Sequence, residues 1–277
     1  MAHALLFTIR GVPIVYYGDE FGLTGANDKE ARQDLFPTGV LSWQSQYRIG
    51  GDFIGTGSSF DTTNPLQDTI RTLTALRDKF PALATGSQTT DYADRGIFAF
   101  SRFDNTTHQE MLVAVNDYSA ASVATFTSNS TNSSWSIQSG HGKATVISGK
   151  TTVTLPALSW AVFTSDSPVP KARKLSATTV QVQPDLVDPT QVEVDARVKG
   201  SPFVDVAFMY RVGNGAWQSL GVDSAPTFSP DPNANGLYRV FPLLSTFPKK
   251  SSIQFRTVAT DSYGVTATSA VKIFKTH

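Results

Sequence analysis

Two periodicities divide the chain. In residues 1–82 apolar positions run continuously or recur with helical spacing, whereas from about Gly86 onward they alternate with polar ones. Met1 to Arg10 is apolar on nearly every face and Gly11 can close it, which predicts a short helix. Val12 to Tyr17 is an unbroken apolar run of the kind that suits a strand buried on both faces of a parallel sheet. Further on, Asn64 can cap a helix with Pro65 at its first position. Leu66, Ile70, Leu73, Leu76 and Phe80 share one face of that helix, and Pro81 ends it. The order helix, strand, long loop, helix is that of an α/β layered architecture.

The alternating part reads differently. GIFAFSRF, EMLVAVNDY, SVATFTS, KATVIS, KTTVTL and LSWAVFTS are short runs separated by Asn, Ser, Gly and Asp clusters, which predicts an antiparallel sandwich over residues 86–166. SDSPVPKARK carries proline and basic residues with little to bury, so residues 167–174 read as a linker of solvated charge. After it VQVQP, QVEVDARV, VDVAFMYRV, AWQSL, LYRVFPLL, SIQFRTVAT and VTATSAVKIF form another strand series, with Gly213, Asn214 and Gly215 at a hairpin turn. Their number and length match an immunoglobulin-like or fibronectin-type sandwich over residues 175–277. The fold class is therefore multi-domain: a partial α/β part followed by two antiparallel β-sandwich domains.

Composition narrows the chemistry. With 23 basic and 23 acidic residues in 277, no electrostatic footprint favours nucleic acid or an anionic membrane. Absence of cysteine excludes disulfides and thiolate zinc sites, and His3, His108, His141 and His277 are scattered, so no metal or other cofactor is expected. The opening MAHALLFTIRG has no basic residue ahead of its apolar part and predicts no signal peptide. GTGSS at Gly55 to Ser59 lacks the lysine of a phosphate-cradling loop, and no serine lies in a G-x-S-x-G context. Trp160 sits in an apolar strand and reads as core, while Trp217, beside a hairpin turn, is a candidate stacking surface. Asn105, Asn129 and Asn132 begin N-x-S/T triplets, to which little weight attaches.

The distinctive chemistry is in the loop that follows Tyr17. Ligands of parallel α/β folds meet the loops at the carboxyl ends of strands, and a loop running from Gly18 to Asn64 is far longer than such connections need. It holds Asp19, Glu20, Asn27, Asp28, Glu30, Arg32 and Asp34 together with Phe36, Trp43, Tyr47 and Phe53. Carboxylates and a guanidinium for hydroxyls, with aromatic faces for rings, suit a neutral polyhydroxylated ligand.

GVPIVYYGDEFGLTGANDKEARQD resembles the last barrel strand and following loop of the α-amylase family of glycosidases, glycoside hydrolase family 13. Its members carry a G-x-P-x-x-Y-Y-G-x-E segment followed by a D-x-x-x-R pair. On that resemblance residues 1–82 are the terminal βα part of a (β/α)8 barrel, residues 86–166 the C-terminal β-domain, and residues 175–277 an appended immunoglobulin-like module. The implied partner is an α-glucan such as starch, and the implied location is extracellular. Asp28 and Arg32 match the pair that binds a sugar in the family's cyclodextrin-forming and related members, with Lys29 standing where relatives often have proline. Tyr17, Gly18 and Glu20 match its structural strand-end and loop positions. Of Tyr16 and Tyr17, alternation lets one at most reach the site while the other packs inward.

The family's nucleophile and general acid belong to barrel strands that residues 1–82 do not match, and a whole barrel takes about 250 residues. Asp19 and Glu20 are adjacent and should diverge, which is unsuited to a retaining pair about 5 Å apart. No catalytic residue is therefore assigned. The expected function is substrate binding as a segment of a secreted α-amylase-type hydrolase, with residues 1–82 exposing apolar faces and poorly ordered unless completed by the rest of a barrel. The alternative is a non-catalytic carbohydrate-binding or surface spacer protein.

Overall fold

The computed structural model describes residues 1–25, 27–130 and 134–276, and the chain divides into two compact units, Met1–Ala84 and Thr85–His277. Asn132 and His277 lie outside the described residues.

The first unit is held by helices and loop hydrogen bonds rather than by a sheet. Helix α1 (Ala2–Thr8) buries Ala4 and Phe7, α2 (Leu41–Gln44) is a single turn, and α3 (Pro65–Lys79) is the longest helix. Asn64 starts α3 with a reciprocal cap: its side chain accepts from the amide of Leu66 at 2.9 Å while Gln67 Oε1 accepts from the amide of Asn64 at 3.2 Å. Leu73 and Leu76 form the buried stripe, and Pro81 both closes α3 and opens the short α4 (Pro81–Thr85). Arg77 ties this end together by donating to the carbonyls of Phe7 (2.9 Å), Leu83 (2.6 Å) and Gly11 (2.5 Å).

The strand expected over Val12 to Tyr17 does not form. Residues 12–16 take part in no strand or helix, with Val12 and Ile14 exposed at 85% and 79%. A strand exists only through its neighbours' hydrogen bonds, and among the described residues of this unit no strand lies alongside. The barrel remnant is thus not realised as a sheet.

The second unit contains two sandwiches of antiparallel strands. In the first, β1 (Ser87–Asp94), β2 (Ile97–Phe103), β3 (Glu110–Asn116), β8 (Ser159–Ser165) and β5 (Trp135–Gly140) lie side by side in that order. They face a three-stranded sheet of β4 (Ser122–Phe126), β7 (Lys150–Leu155) and β6 (Lys143–Ile147). Alternation aims Ile97, Ala99, Leu112, Ala114, Ala161 and Phe163 at Val153 and Leu155 across the core. Trp160 is only partly buried, and Trp135 donates from its indole to Thr151 Oγ1 at 3.0 Å.

The second sandwich pairs β13 (Leu237–Val240), β10 (Val192–Lys199) and β9 (Ser176–Pro184) in one sheet. The other contains β12 (Gln218–Asp223), β11 (Val204–Val212), β14 (Ser252–Asp261), β15 (Thr266–Thr268) and β16 (Lys272–Lys275), the last two both pairing with β14. Val194, Val206, Phe208, Ile253 and Phe255 form its core. Gly213 takes φ +54° in the turn joining β11 to β12. The segment read as a spacer buries Val169 between the sandwiches, against the stacked rings of Phe103 and Phe203, whose centroids are 4.2 Å apart. Burying one valine in this aromatic cluster outweighs the polar composition of its neighbours.

Candidate functional site

The loop from Gly18 to Asn64 is shaped by its glycines and by three buried polar side chains. Gly18 adopts φ +96° and Gly22 φ +69°, bracketing the single 3-10 turn Asp19–Phe21. A Cβ on Gly22 would stand 2.2 Å from the carbonyl oxygen of Ile49, so only glycine fits this close approach. Glu20 folds back to accept from the amide of Gly18 at 2.9 Å, so its carboxylate is engaged by its own turn.

Asn64 links this turn to α3. While capping the helix, its Nδ2 donates to the carbonyls of Phe21 (3.0 Å) and Ile49 (2.8 Å). Arg48 is buried and donates to Thr62 Oγ1 (2.5 Å) and Ser59 Oγ (3.1 Å), and burial lowers its pKa. Gln33, 1% exposed, donates to the Thr24 carbonyl (2.5 Å) and Gln46 Oε1 (2.6 Å). None of these three was a candidate by residue type. Asn64 was legible only as a helix cap, because its two loop partners are distant in sequence.

Asp28 and Arg32 sit on a turn opened by Asn27, whose Oδ1 accepts from the amides of Lys29 (3.0 Å) and Glu30 (3.2 Å). Arg32 Nε donates to the Asp28 carbonyl at 3.0 Å and its Nη2 pairs with the Asp28 carboxylate. Both side chains remain in water, 53% exposed for Arg32 and 84% for Asp28.

Tyr16 and Tyr17 are both exposed, their ring centroids 4.8 Å apart. The expected division between one facing and one packed tyrosine is therefore not seen, because without a sheet there is no pleat to send them to opposite faces. Tyr17 and Gly18 lie in a turn and Glu20 in the 3-10 turn that follows. The Tyr17 phenol is pushed up by desolvation, then by Tyr16, with Arg32 opposing and Asp34 adding to the rise. Phe36, Tyr47, Phe53 and Phe60 are also exposed, with the Tyr47 and Phe53 rings tilted against each other at 3.9 Å and Phe36 against Phe60 at 5.4 Å. The first unit therefore carries aromatic faces and an exposed carboxylate–guanidinium pair on the same loop. Trp217, in the last sandwich, is contacted by the guanidiniums of Arg211 (4.6 Å) and Arg256 (4.1 Å). Among the described residues no cluster of three or more His, Cys, Asp or Glu side chains could hold a metal ion.

No family model matches the chain. An α-amylase from Streptomyces lividans is 35% identical over 276 residues, which is 96% of this chain and 28% of that protein. A cyclomaltodextrin glucanotransferase from Bacillus sp. (strain 1-1) is 32% identical over 117 residues, 42% of this chain and 13% of that protein. Among solved structures, the γ-cyclomaltodextrin glucanotransferase from an alkalophilic Bacillus clarkii covers 99% of this chain and 49% of its own, at 15% identity and a TM-score of 0.42. The chain spans less than a third of the length of the curated relatives it matches. The chain is a homologue, over part of their length, of the α-amylases and cyclomaltodextrin glucanotransferases of glycoside hydrolase family 13.

Proposed function

We propose that the chain serves an α-glucan-acting glycoside hydrolase as a substrate-binding segment, with Asp28 and Arg32 holding a sugar unit and no catalytic carboxylate pair of its own. The observation that carries this reading is the exposed Asp28–Arg32 pair on a loop rich in open aromatic rings. A guanidinium offers several donors in a fixed plane and a carboxylate accepts from hydroxyls, so the pair can bracket a sugar edge once water is displaced. Cleavage in this reading is of the retaining kind and needs two carboxyls about 5 Å apart on either side of the bond. Glu20, engaged by the amide of Gly18, is not offered as one of them.

The exposed Val12 and Ile14 support docking of this segment beside other strands of a barrel. Starch-like polymers are met outside the cell, and the reading carries an extracellular place of action with it.

The test measures release of reducing sugar from soluble starch by the purified chain and its Asp28→Ala variant, with maltooligosaccharide binding followed in parallel. Binding that is lost in Asp28→Ala, with no sugar released by either protein, is the expected result. Release of sugar by the wild type would overturn the assignment of no catalytic pair. Absence of any binding would favour the spacer reading.

A further inference from the structure

At one end of the first sandwich core, two carboxyl groups converge on a single hydroxyl. Ser101 Oγ lies 2.7 Å from Asp91 Oδ2 and 2.6 Å from Glu110 Oε1. The three residues come from three adjacent strands. Ser101 on β2 and Glu110 on β3 are wholly buried, and Asp91, on β1, is partly buried. Asp91 reaches them through a bulge: Thr90 pairs with Phe100 and Tyr92 with Ala99, leaving Asp91 as the extra residue. A bulge of this kind re-aims one side chain out of the strand's alternation.

Counting hydrogens decides what the cluster contains. A serine hydroxyl has one proton to donate, whereas two ionised carboxylates on either side of it would each need one. One of the two contacts must therefore be made by a proton that a carboxyl group brings. The other donors identify which. Glu110 Oε1 also accepts from Asn129 Nδ2 at 3.0 Å, while Ser101 is the hydrogen-bond partner found for the Asp91 carboxyl. With two donors on Oε1, and Oε2 buried without one among the described residues, Glu110 is placed to carry the charge through Oε1 and Asp91 to be the acid.

Among the described residues no cation figures in the groups that act on the pair. The groups acting on the pair are Ser101 from β2, Asn129 from the segment after β4 and, on Asp91, the charge of Glu110. Arg102, next to Ser101 on β2, points to the opposite side of the strand, where its Nη2 donates to the Gly86 carbonyl at 3.0 Å.

We propose that Asp91, Ser101 and Glu110 share one proton, a neutral Asp91 carboxyl donating to Ser101 Oγ and Ser101 donating to an ionised Glu110. The electrostatics agree in direction. Burial, and then the charge of Glu110, push the Asp91 carboxyl well above the usual aspartate range, with the Ser101 hydrogen bond opposing. Burial raises Glu110 as well, against the pull of its Ser101 and Asn129 donors.

The consequence is a built-in sensitivity to alkali. The native state keeps a proton that the unfolded chain gives up above the ordinary aspartate value of about 3.9. Its contribution to stability is therefore complete below that value and disappears as pH rises through the native titration of Asp91.

The test uses the full chain and its Asp91→Asn variant, whose amide can donate to Ser101 as the neutral acid does but does not titrate. Infrared spectra with isotope-labelled aspartate carboxyls should show a neutral-acid carbonyl band in the wild type at about pH 7.5, absent from the variant. Melting temperatures of the two proteins should draw apart as pH rises, with Asp91→Asn several degrees more stable near pH 8. Absence of the neutral-acid band from the wild type overturns the proposal, and that reading needs no variant to fold. Stabilisation of the wild type by millimolar calcium and its loss in chelator would place a cation where the proton is assigned, and would also overturn it.

Discussion

Arg32 closes onto the residue four positions before it, its Nε donating to the Asp28 carbonyl at 3.0 Å while its Nη2 meets the Asp28 carboxylate. Because both side chains are more than half exposed, the pair adds little to stability: exposed ion pairs contribute about 0–1 kcal/mol. Asp28→Ala and Arg32→Ala should therefore leave thermal unfolding almost unchanged while weakening maltooligosaccharide binding. Arg32→Lys should fail to restore that binding, since an ammonium does not reproduce the planar donor fork. A drop in stability as large as the loss in binding would mean that the pair is structural.

Asn64 should be the most sensitive single position in the first unit. Asn64→Ala removes a cap and the donor to two loop carbonyls, so a loss of about 2–4 kcal/mol is expected in urea unfolding. Asn64→Asp separates the two roles. It keeps the acceptor for the Leu66 amide but has no donor for Phe21 and Ile49, so it should fall between wild type and alanine.

Gly22→Ala combines an unfavourable backbone with a clash. With φ at +69° and the Ile49 carbonyl oxygen 2.2 Å from the added Cβ, the cost should exceed about 1 kcal/mol. Gly55, also at positive φ but with open space around it, serves as the control, and its alanine variant should be less destabilised in the same unfolding assay.

Asp195 in the last sandwich should titrate near neutrality. Burial pushes its carboxyl up to about 6, with Arg239 at 3.2 Å opposing and Glu193 adding to the rise. A carboxyl raised in the native state contributes stability below the ordinary aspartate value of about 3.9, and that contribution is lost as pH rises through 6. Carboxyl chemical shifts should give a midpoint near 6 for Asp195, moving upward in Arg239→Ala as the opposing charge is removed. A midpoint in the ordinary aspartate range would show the carboxyl to be hydrated.

The α3 helix was legible because its information is local. Asn64, Pro65 and a stripe at spacings of three and four specify start, direction and buried face within one short segment. The β strands of the second unit were legible for the same reason, since alternation such as that of VDVAFMYRV needs only neighbouring residues to state which side is buried. The Asp28–Arg32 contact also follows from a separation of four residues.

What the sequence could not determine is whatever depends on a partner far along the chain. Val12 to Tyr17 has the composition of a strand, yet strand pairing is a property of neighbours, and among the described residues of the first unit there is none. Val169 reads as part of a polar spacer until the fold packs it with Phe103 and Phe203. Asn64 as a clasp on Phe21 and Ile49, and Asp91 and Glu110 on one serine, join residues that no local pattern connects. Local spacing fixes which face of an element is apolar and which turn it ends on. Only tertiary packing decides which polar atoms lose water together, because desolvation and hydrogen-bond pairing depend on distances that the folded chain alone sets.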